Sequence, residues 1–245
     1  MSLSQVKEVL LRLHRSGVRL MILEGGEPFL WRDGAYGLED VVAECKRLFF
    51  CTGVVTNGLL PIETQADVVW VSVDGMRETH NYNRGPTFDK VIANIQRSRH
   101  PRLFANVTIN SKNKSEIAEL VHFLADKVKG ITIQFYYPYP GTEDLAVSPA
   151  DRRQVLDELI ALKRAGYPVS DSISTLKALR DNTWRCFPWL ISSVEPDGEV
   201  TLGCYLLNRA EVNCKQCGFA AHTEISMAYN WNLAAIYAGA KIFGF

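Results

Sequence analysis

Four cysteines in the last quarter of the chain have the spacing of a metal site. Cys214 and Cys217 form a Cys-x2-Cys pair, and Cys186 and Cys204 flank a predicted hairpin just before it. A Cys-x2-Cys turn presents two thiolates to one metal centre, and two further cysteines complete a tetrahedral set. The spacing predicts either zinc or a 4Fe–4S cluster, because it does not separate the two. The alternatives are two buried thiols beside a chance pair, and His222 as a substitute ligand or an ordinary surface histidine.

A second candidate site follows the apolar run Leu20–Leu23, which is too short for a helix and predicts a buried strand. Gly25, Gly26, Glu27 and Pro28 end this strand. Glycine lets a ligand approach the backbone closely, and proline removes a donor and fixes the next turn. A bare backbone turn beside a carboxylate is suited to holding a charged amine. The alternative is a tight turn that carries a surface glutamate.

Composition limits the classes of function. The chain has 245 residues, 47% of them hydrophobic, which suits one or two domains with a proper core. Lysine plus arginine and aspartate plus glutamate both number 27, so nothing indicates a nucleic-acid or membrane partner. No apolar run could span a bilayer, and residues 1–10 lack a signal-peptide pattern. We therefore expect a cytoplasmic protein, whose cysteines are ligands or buried thiols rather than disulfides.

Strands and helices alternate through the first two thirds of the chain. Strands are predicted at 19–23, 51–56, 67–73, 103–110 and 131–137, and helices at 4–16, 38–48, 88–97, 115–127 and 149–165. This alternation predicts a parallel sheet covered by helices. Each strand ends in small or polar residues, and ligands of α/β proteins sit at the carboxyl ends of strands. These strand ends are therefore expected to converge on one site.

The pattern changes after Gly166, and we predict a second unit at 167–245 beside a first unit at 1–166. A short helix is predicted near 176–180. A β-hairpin follows at 190–202 with a Pro-Asp-Gly turn, and the last fifteen residues form an apolar helix. Aromatic residues could line a substrate cavity or simply pack the core and hairpin. They are Tyr136, Tyr137, Tyr139, Trp184, Phe187, Trp189 and Tyr205.

The order of short motifs resembles the radical S-adenosylmethionine (SAM) enzymes. The motifs are Gly25-Gly26-Glu27-Pro28, Thr56-Asn57-Gly58, Ser72-Val73-Asp74-Gly75, Met76-Arg77-Glu78-Thr79-His80, Asn83-Arg84-Gly85 and Phe88-Asp89-Lys90-Val91. The C-terminal cysteines are similar to the SPASM or "twitch" extension of that family. The resemblance covers about residues 4–217. It implies a partial (β/α)6 TIM-like barrel, here lacking its first strand, plus a small cysteine-rich β-hairpin extension.

The resemblance also implies a cofactor site and its chemistry. Gly25, Gly26 and Glu27 would hold the amino group of S-adenosylmethionine, Ser72 and Asp74 would approach the ribose, and Arg84 would meet the carboxylate. The further residues are Pro28 and Asn57 in the motifs, Asn106 and Thr108 as polar contacts, and 133–137 beside the adenine. The alternatives are turn formation or helix capping for Ser72 and Asp74, and a solvated surface position for Arg84. Cys186, Cys204, Cys214 and Cys217 would bind an auxiliary 4Fe–4S cluster.

One family motif does not occur in the sequence. Radical SAM enzymes hold their catalytic cluster with Cys-x3-Cys-x2-Cys, and Cys45 and Cys51 have the wrong spacing and position for it. In the family, that cluster and an electron donor cleave S-adenosylmethionine to a 5′-deoxyadenosyl radical, which abstracts hydrogen from the substrate. We therefore expect an N-terminally truncated fragment of an oxidoreductase, and the alternative is a natural paralogue without the cluster. The parent of the fragment would act on a small molecule or a peptide, and the chain itself would be inactive.

Two other functions compete with this expectation. A non-enzymatic scaffold or binding protein with a four-cysteine zinc-ribbon-like tail would hold one zinc ion per chain. A hydrolase on an α/β barrel would need a nucleophile and base, but no Ser-His-Asp order or paired-carboxylate motif stands out. Metal content separates the first of these from an iron–sulfur protein.

Overall fold

The centre of the structure, a computed structural model that describes residues 1–245, is a five-stranded parallel sheet. The strands are β1 (Leu20–Leu23), β2 (Arg32–Asp33), β3 (Tyr36–Gly37), β4 (Cys51–Thr56), β5 (Val68–Ser72), β6 (Leu103–Ile109), β7 (Gly130–Phe135), β8 (Ser192–Val194) and β9 (Val200–Leu202). The α-helices are α1 (Leu3–Arg15), α2 (Leu38–Leu48), α3 (Arg77–Arg84), α4 (Phe88–Arg97), α5 (Ile117–Leu124), α6 (Pro149–Arg164), α7 (Ile173–Asp181), α8 (Ala220–Tyr229) and α9 (Leu233–Phe243). None of these helices is long and apolar enough to cross a membrane.

The five sheet strands stand side by side in chain order, β1-β4-β5-β6-β7, and every pair is parallel. Each connection moves one strand onward, as in a partial α/β barrel, and every connection except the loop 57–67 between β4 and β5 contains a helix. The predicted parallel sheet covered by helices is therefore confirmed. Val169 extends it with a single parallel bridge to Ile131 on β7.

Several element boundaries differ from the predictions. The predicted helix at 115–127 begins as a 3-10 turn at Lys114–Glu116 and ends at Leu124. Helix α7 is longer than expected because Ser172 caps it at Thr175 and Asn182 ends it in a left-handed conformation. Helices α3 and α8 were not predicted. The polar sequence of α3 has no apolar periodicity and buries only His80, so its helicity depends on tertiary contacts.

One face of the sheet packs on helices. Alternate residues of β5 to β7, among them Val69, Val71, Val107 and Ile133, are buried in a large apolar core with side chains from α2 and α4 to α7. A strand points successive side chains to opposite faces, so the residues between these ones face the other way. Helix α1 packs beside this core in a smaller cluster that includes Cys45, which is fully buried as predicted for a core residue.

The other, concave face is apolar only toward the amino ends of the strands. There Cys51, Val68, Trp70 and Phe104 form a cluster with Ile242 of α9. Arg102 Nη1 donates to the carbonyl of Phe243 at 2.6 Å, which fixes the end of this helix. The predicted C-terminal helix is confirmed, and it closes the amino end of the concave face. The polar residues farther along the strands therefore face the open end.

The antiparallel pair β8–β9 lies against α1. Val194 and Val200 pack on the cluster around α1, and Arg12 Nη2 donates to the Gly198 carbonyl at 2.8 Å. Gly198 has φ +89°, a left-handed conformation that suits glycine in the Pro-Asp-Gly turn. These contacts join the last quarter of the chain to the first helix.

Two buried carboxyl groups lie between β7 and the C-terminal helices. Asp171 Oδ2 accepts from the Ile133 amide at 3.0 Å, and Glu224 Oε2 accepts from the Ser172 amide at 2.9 Å. Burial, and then repulsion from Glu224, raises the pKa of Asp171 to about 7, although Lys163 opposes the shift. Burial also raises the pKa of Glu224. The folded chain therefore holds protons here that the unfolded chain releases.

Wild type should lose stability as pH rises to neutrality, because Asp171 ionises in its buried site. We predict that Asp171→Asn abolishes this loss. A carboxyl whose folded pKa is raised stabilises the protein below its unfolded pKa, and this contribution is lost as pH rises through about 7. Relative to wild type, Asp171→Asn should gain at least ~1 kcal/mol of unfolding free energy between pH ~5 and pH ~8, measured by urea denaturation. Asp157→Asn, at an exposed carboxylate on α6, is the control. The prediction is contradicted if the difference in unfolding free energy between Asp171→Asn and wild type is the same at both pH values.

Candidate functional site

A row of polar side chains lies on the concave face at the carboxyl ends of β5, β6 and β7. The register places Ser72 opposite Asn106 and Asn106 opposite Thr132. Thr132 Oγ1 donates to Asn106 Oδ1, and Gln134 Nε2 donates to Thr108 Oγ1, both at 3.2 Å. The sequence analysis named Ser72, Asn106 and Thr108 as site residues but not Thr132. Thr132 alternates with the buried Ile131 and Ile133, and this alternation was the signal that could have placed it on the opposite face of β7.

Asp74 joins three parts of the carboxyl edge. Asp74 is buried, with 6% of the residue exposed. Oδ2 accepts from Arg84 Nε at 2.5 Å, and Oδ1 accepts from the Thr108 amide at 3.0 Å. Asp74 is therefore neither a helix cap nor a simple turn residue. Arg84 is not a freely solvated arginine either, because this ion pair fixes its Nε while a third of the side chain stays exposed.

Three residues that the sequence analysis did not select hold the loop after β5. Asn113 is fully buried, and its Nδ2 donates at 2.8 Å to the carbonyls of Asp74 and Thr108. Glu116 accepts from the Met76 amide at 2.9 Å and from Thr79 Oγ1. His80 is fully buried, and burial lowers its pKa. Its neutral Nδ1 accepts from the Asp74 amide at 3.3 Å, so the ring proton lies on Nε2.

Glu27 connects the turn after β1 to the end of β4. Oε1 accepts from Thr56 Oγ1 at 2.8 Å and from the Phe29 amide at 3.2 Å. Oε2 accepts from the Asn57 amide at 2.7 Å. A carboxylate has about four lone-pair sites, so Oε2 keeps capacity for one more donor. The side chain is therefore both a structural link and a candidate acceptor for a ligand amine.

Gly25 and Gly26 leave an open backbone surface beside Glu27. Both are exposed, and a Cβ placed on either would meet no atom within 4 Å. Gly25 has φ +58°, which disfavours other residues, whereas Gly26 does not have a positive φ. The neighbouring Pro28 begins a 3-10 turn, and Asn57 Oδ1 accepts from the Leu59 amide at 2.9 Å. Pro28 and the Asn57 side chain thus shape the loops around the open surface.

The four C-terminal cysteines influence one another, but no group of three or more histidine, cysteine or acidic side chains stands close enough to hold a metal ion. Burial, and then repulsion from Cys204 and Cys214, raises the pKa of Cys186. Burial and then Cys204 and Cys186 raise the pKa of Cys217. All four thiols therefore lie in one electrostatic neighbourhood. Because their pKa values are raised, Cys186 and Cys217 are neutral thiols at neutral pH, and a bound metal would have to displace their protons.

The aromatic residues near the cysteines form one continuous stack. Tyr137 stacks on Phe219 with ring centroids 6.5 Å apart, and Phe219 stacks on His222 at 5.1 Å. Tyr205 contacts the same Phe219 ring at 5.6 Å. His222 is not an ordinary surface histidine, since burial lowers its pKa to about 4 and keeps it neutral. The stack joins the end of β7 to the cysteine-rich segment.

No protein-family model matches the sequence, and no curated protein matches it. Solved structures are similar. Native anSMEcpe with bound AdoMet and Kp18Cys peptide matches with a TM-score of 0.59 and 16% identity, over 99% of this chain and 75% of that chain. Native anSMEcpe with bound AdoMet matches with a TM-score of 0.61 and 15% identity, over 98% and 74%. The likeness shows that this chain shares the fold of anSMEcpe.

Proposed function

We propose that this chain binds S-adenosylmethionine at the carboxyl edge of its sheet, as part of a radical SAM oxidoreductase. One observation carries the proposal. The open Gly25-Gly26 backbone and the polar row of Ser72, Asn106 and Thr108 lie along the same edge of one sheet. The structural likeness to anSMEcpe, which was solved with bound AdoMet, supports the proposal, and ligands of parallel α/β sheets generally sit at the carboxyl ends of the strands.

The turn after β1 is proposed to hold the amino group. An ammonium needs acceptors, and the free lone pair of Glu27 Oε2 is one of them. The bonds from Thr56 Oγ1 and the Asn57 amide keep this carboxylate in place before a ligand arrives. Gly25 and Gly26 contribute backbone and free space, because any side chain there would stand where the ligand approaches.

Arg84 is proposed to hold the carboxylate of the cofactor. Asp74 binds its Nε, and no residue of the chain forms a hydrogen bond with its two terminal nitrogens. A guanidinium fixed at one edge presents its other N–H groups in a planar array that matches a carboxylate. Ser72 and the polar row would then contact the ribose, and the segment 133–137 would lie beside the adenine.

The cysteines are proposed to hold an auxiliary 4Fe–4S cluster, with Cys186, Cys204, Cys214 and Cys217 as ligands. Such a cluster, when bound, carries single electrons. The shared neighbourhood of the four thiols supports this assignment. In the proposed parent activity, an electron donor and a separate three-cysteine cluster drive the reductive cleavage of S-adenosylmethionine. The motif for that cluster does not occur in this sequence, so we propose cofactor binding, not turnover, for the chain itself.

The substrate is proposed to be a peptide. The support is that anSMEcpe, which shares the fold, was solved with the Kp18Cys peptide. The aromatic stack of Tyr137, Phe219 and Tyr205 lies at the end of β7, where it could receive apolar side chains. Aromatic rings provide large contact areas at low entropic cost, as peptide recognition requires.

We predict that Gly26→Val weakens binding of S-adenosylmethionine by roughly tenfold or more, about 1.4 kcal/mol. Gly26 has free space and no positive φ, so valine should be tolerated by the fold while it obstructs the ligand. Isothermal titration calorimetry measures the affinity, and the melting temperature should stay close to that of wild type. Gly239→Val is the control, at a glycine of α9 with equal free space. Wild type that binds no S-adenosylmethionine, or Gly26→Val that binds it normally, would refute the assignment.

We also predict about four irons per chain after anaerobic reconstitution with iron and sulfide, because one cubane takes four cysteines. Cys214→Ala and Cys217→Ala should each lose the iron and the visible absorption. Cys51→Ala should retain both, because Cys51 is buried in the apolar cluster of the concave face. One tightly bound zinc and no iron would instead support the scaffold with a zinc-ribbon-like tail.

A further inference from the structure

The Cys-x2-Cys turn is held through its backbone carbonyls by two residues from helices outside the cysteine-rich segment. Arg152 Nη2, from the first half of α6, donates to the Cys217 carbonyl at 2.6 Å. Asn182 Nδ2, at the end of α7, donates to the Lys215 carbonyl at 2.7 Å. Arg152 Nη2 also donates to Asn182 Oδ1 at 3.0 Å, so the two residues act as one unit.

Arg152 is unusual because it is buried without a carboxylate. Its side chain is almost fully enclosed, yet it forms none of the ion pairs of the structure. Its Nε donates to the Leu179 carbonyl at 2.7 Å, and its guanidinium lies 4.7 Å from the centre of the Phe135 ring. Burying an unpaired cation is costly, since neutral carbonyls and a ring replace water only in part. A side chain that only linked two helices through hydrogen bonds would not need a positive charge.

A third contact fixes the residue after the turn. The Phe135 amide, at the end of β7, donates to the Gly218 carbonyl at 2.9 Å. A Cβ on Gly218 would lie 2.5 Å from Phe135 Cβ and 2.9 Å from the Phe135 carbonyl oxygen, so only glycine permits this approach. Donors from β7, α6 and α7 therefore bind three carbonyls within the four residues 215–218. None of these bonds uses a sulfur atom.

We propose that Arg152 and Asn182 are positioning residues that fix the backbone of the Cys214–Cys217 turn before a metal binds. The proposal rests on the proposed metal centre of the four cysteines. Arg152 Nη2 fixes the Cys217 carbonyl, and Asn182 fixes the middle of the turn, so the backbone that carries both cysteines keeps one shape. The buried positive charge also offsets the negative charge of thiolates gathered nearby. Arg152 contacts no substrate and takes no part in a chemical step.

The first test uses the reduced, metal-free chain and the alkylation rate of each cysteine by iodoacetamide, followed by mass spectrometry. Arg152→Met and Asn182→Gly should each raise the rate at the half-buried Cys217 by roughly tenfold, because a released turn samples open conformations, whereas Cys214 is already exposed and should keep its wild-type rate. Glycine keeps the left-handed backbone of Asn182, φ 50°, while it deletes the amide. Arg153→Met is the matched control. Arg153 follows Arg152 on α6 and forms an exposed ion pair with Asp181, so this variant should behave as wild type.

Buried Cys51 reports global unfolding in the same sample. If Arg152→Met also speeds alkylation of Cys51, that variant is unfolded and Asn182→Gly decides the question. An unchanged rate at Cys217 in a folded variant would overturn the proposed positioning role. Because this measurement needs no metal, it remains decisive even if wild type binds none, which would refute only the proposed metal centre.

The second test follows release of the bound metal, iron or zinc, to a chelator. Arg152→Met and Asn182→Gly should release it roughly tenfold faster than wild type and Arg153→Met. Arg152→Lys keeps the charge but not the two-pronged geometry, so it should also release metal faster. Faster alkylation with unchanged metal release in both variants would mean that the contacts only fasten the loop, and it would overturn the positioning role.

Discussion

The carboxyl edge of the sheet depends on the buried carboxylate of Asp74. It pairs with Arg84 on α3 and accepts the Thr108 amide on β6, while its own backbone meets His80 and Asn113. A buried carboxylate must have such partners, because an unpaired charge away from water is strongly unfavourable. The need to pair this carboxylate has two consequences. It positions the loop after β5, and it turns the guanidinium of Arg84 toward the open face.

The two ends of the concave face have opposite chemistry because of strand alternation. Residues Val68, Trp70 and Ser72 all point to this face, as do Phe104, Asn106 and Thr108. Toward the amino end these side chains are apolar and covered by α9, and toward the carboxyl end they are polar, with Asn106 and Thr108 partly exposed. A ligand with an apolar base and charged groups suits such a surface, provided that the polar groups are fixed beforehand.

Much of this arrangement could be predicted from the sequence, and the rest could not for physical reasons. Apolar runs with helical and strand periods predicted the parallel sheet, whereas the metal site predicted from the cysteine spacing stays a prediction. Helix α3 was missed because it is polar throughout and forms around the buried His80. Asn113 and Arg152 were missed because asparagine and arginine usually occur at the surface, and only tertiary contacts reveal them as buried donors. The packing of α9 at the amino end of the concave face was missed because its partner Arg102 lies more than a hundred residues earlier in the chain.

Hydrogen–deuterium exchange with and without S-adenosylmethionine tests the central claim most directly, because it locates the ligand on the chain. The account predicts slower amide exchange at Gly25–Glu27, at 74–76 and at 106–108, with α9 and the β8–β9 pair unchanged. Slower exchange confined to the cysteine-rich residues 204–218, or no change at all, would contradict a cofactor site at the carboxyl edge of the sheet.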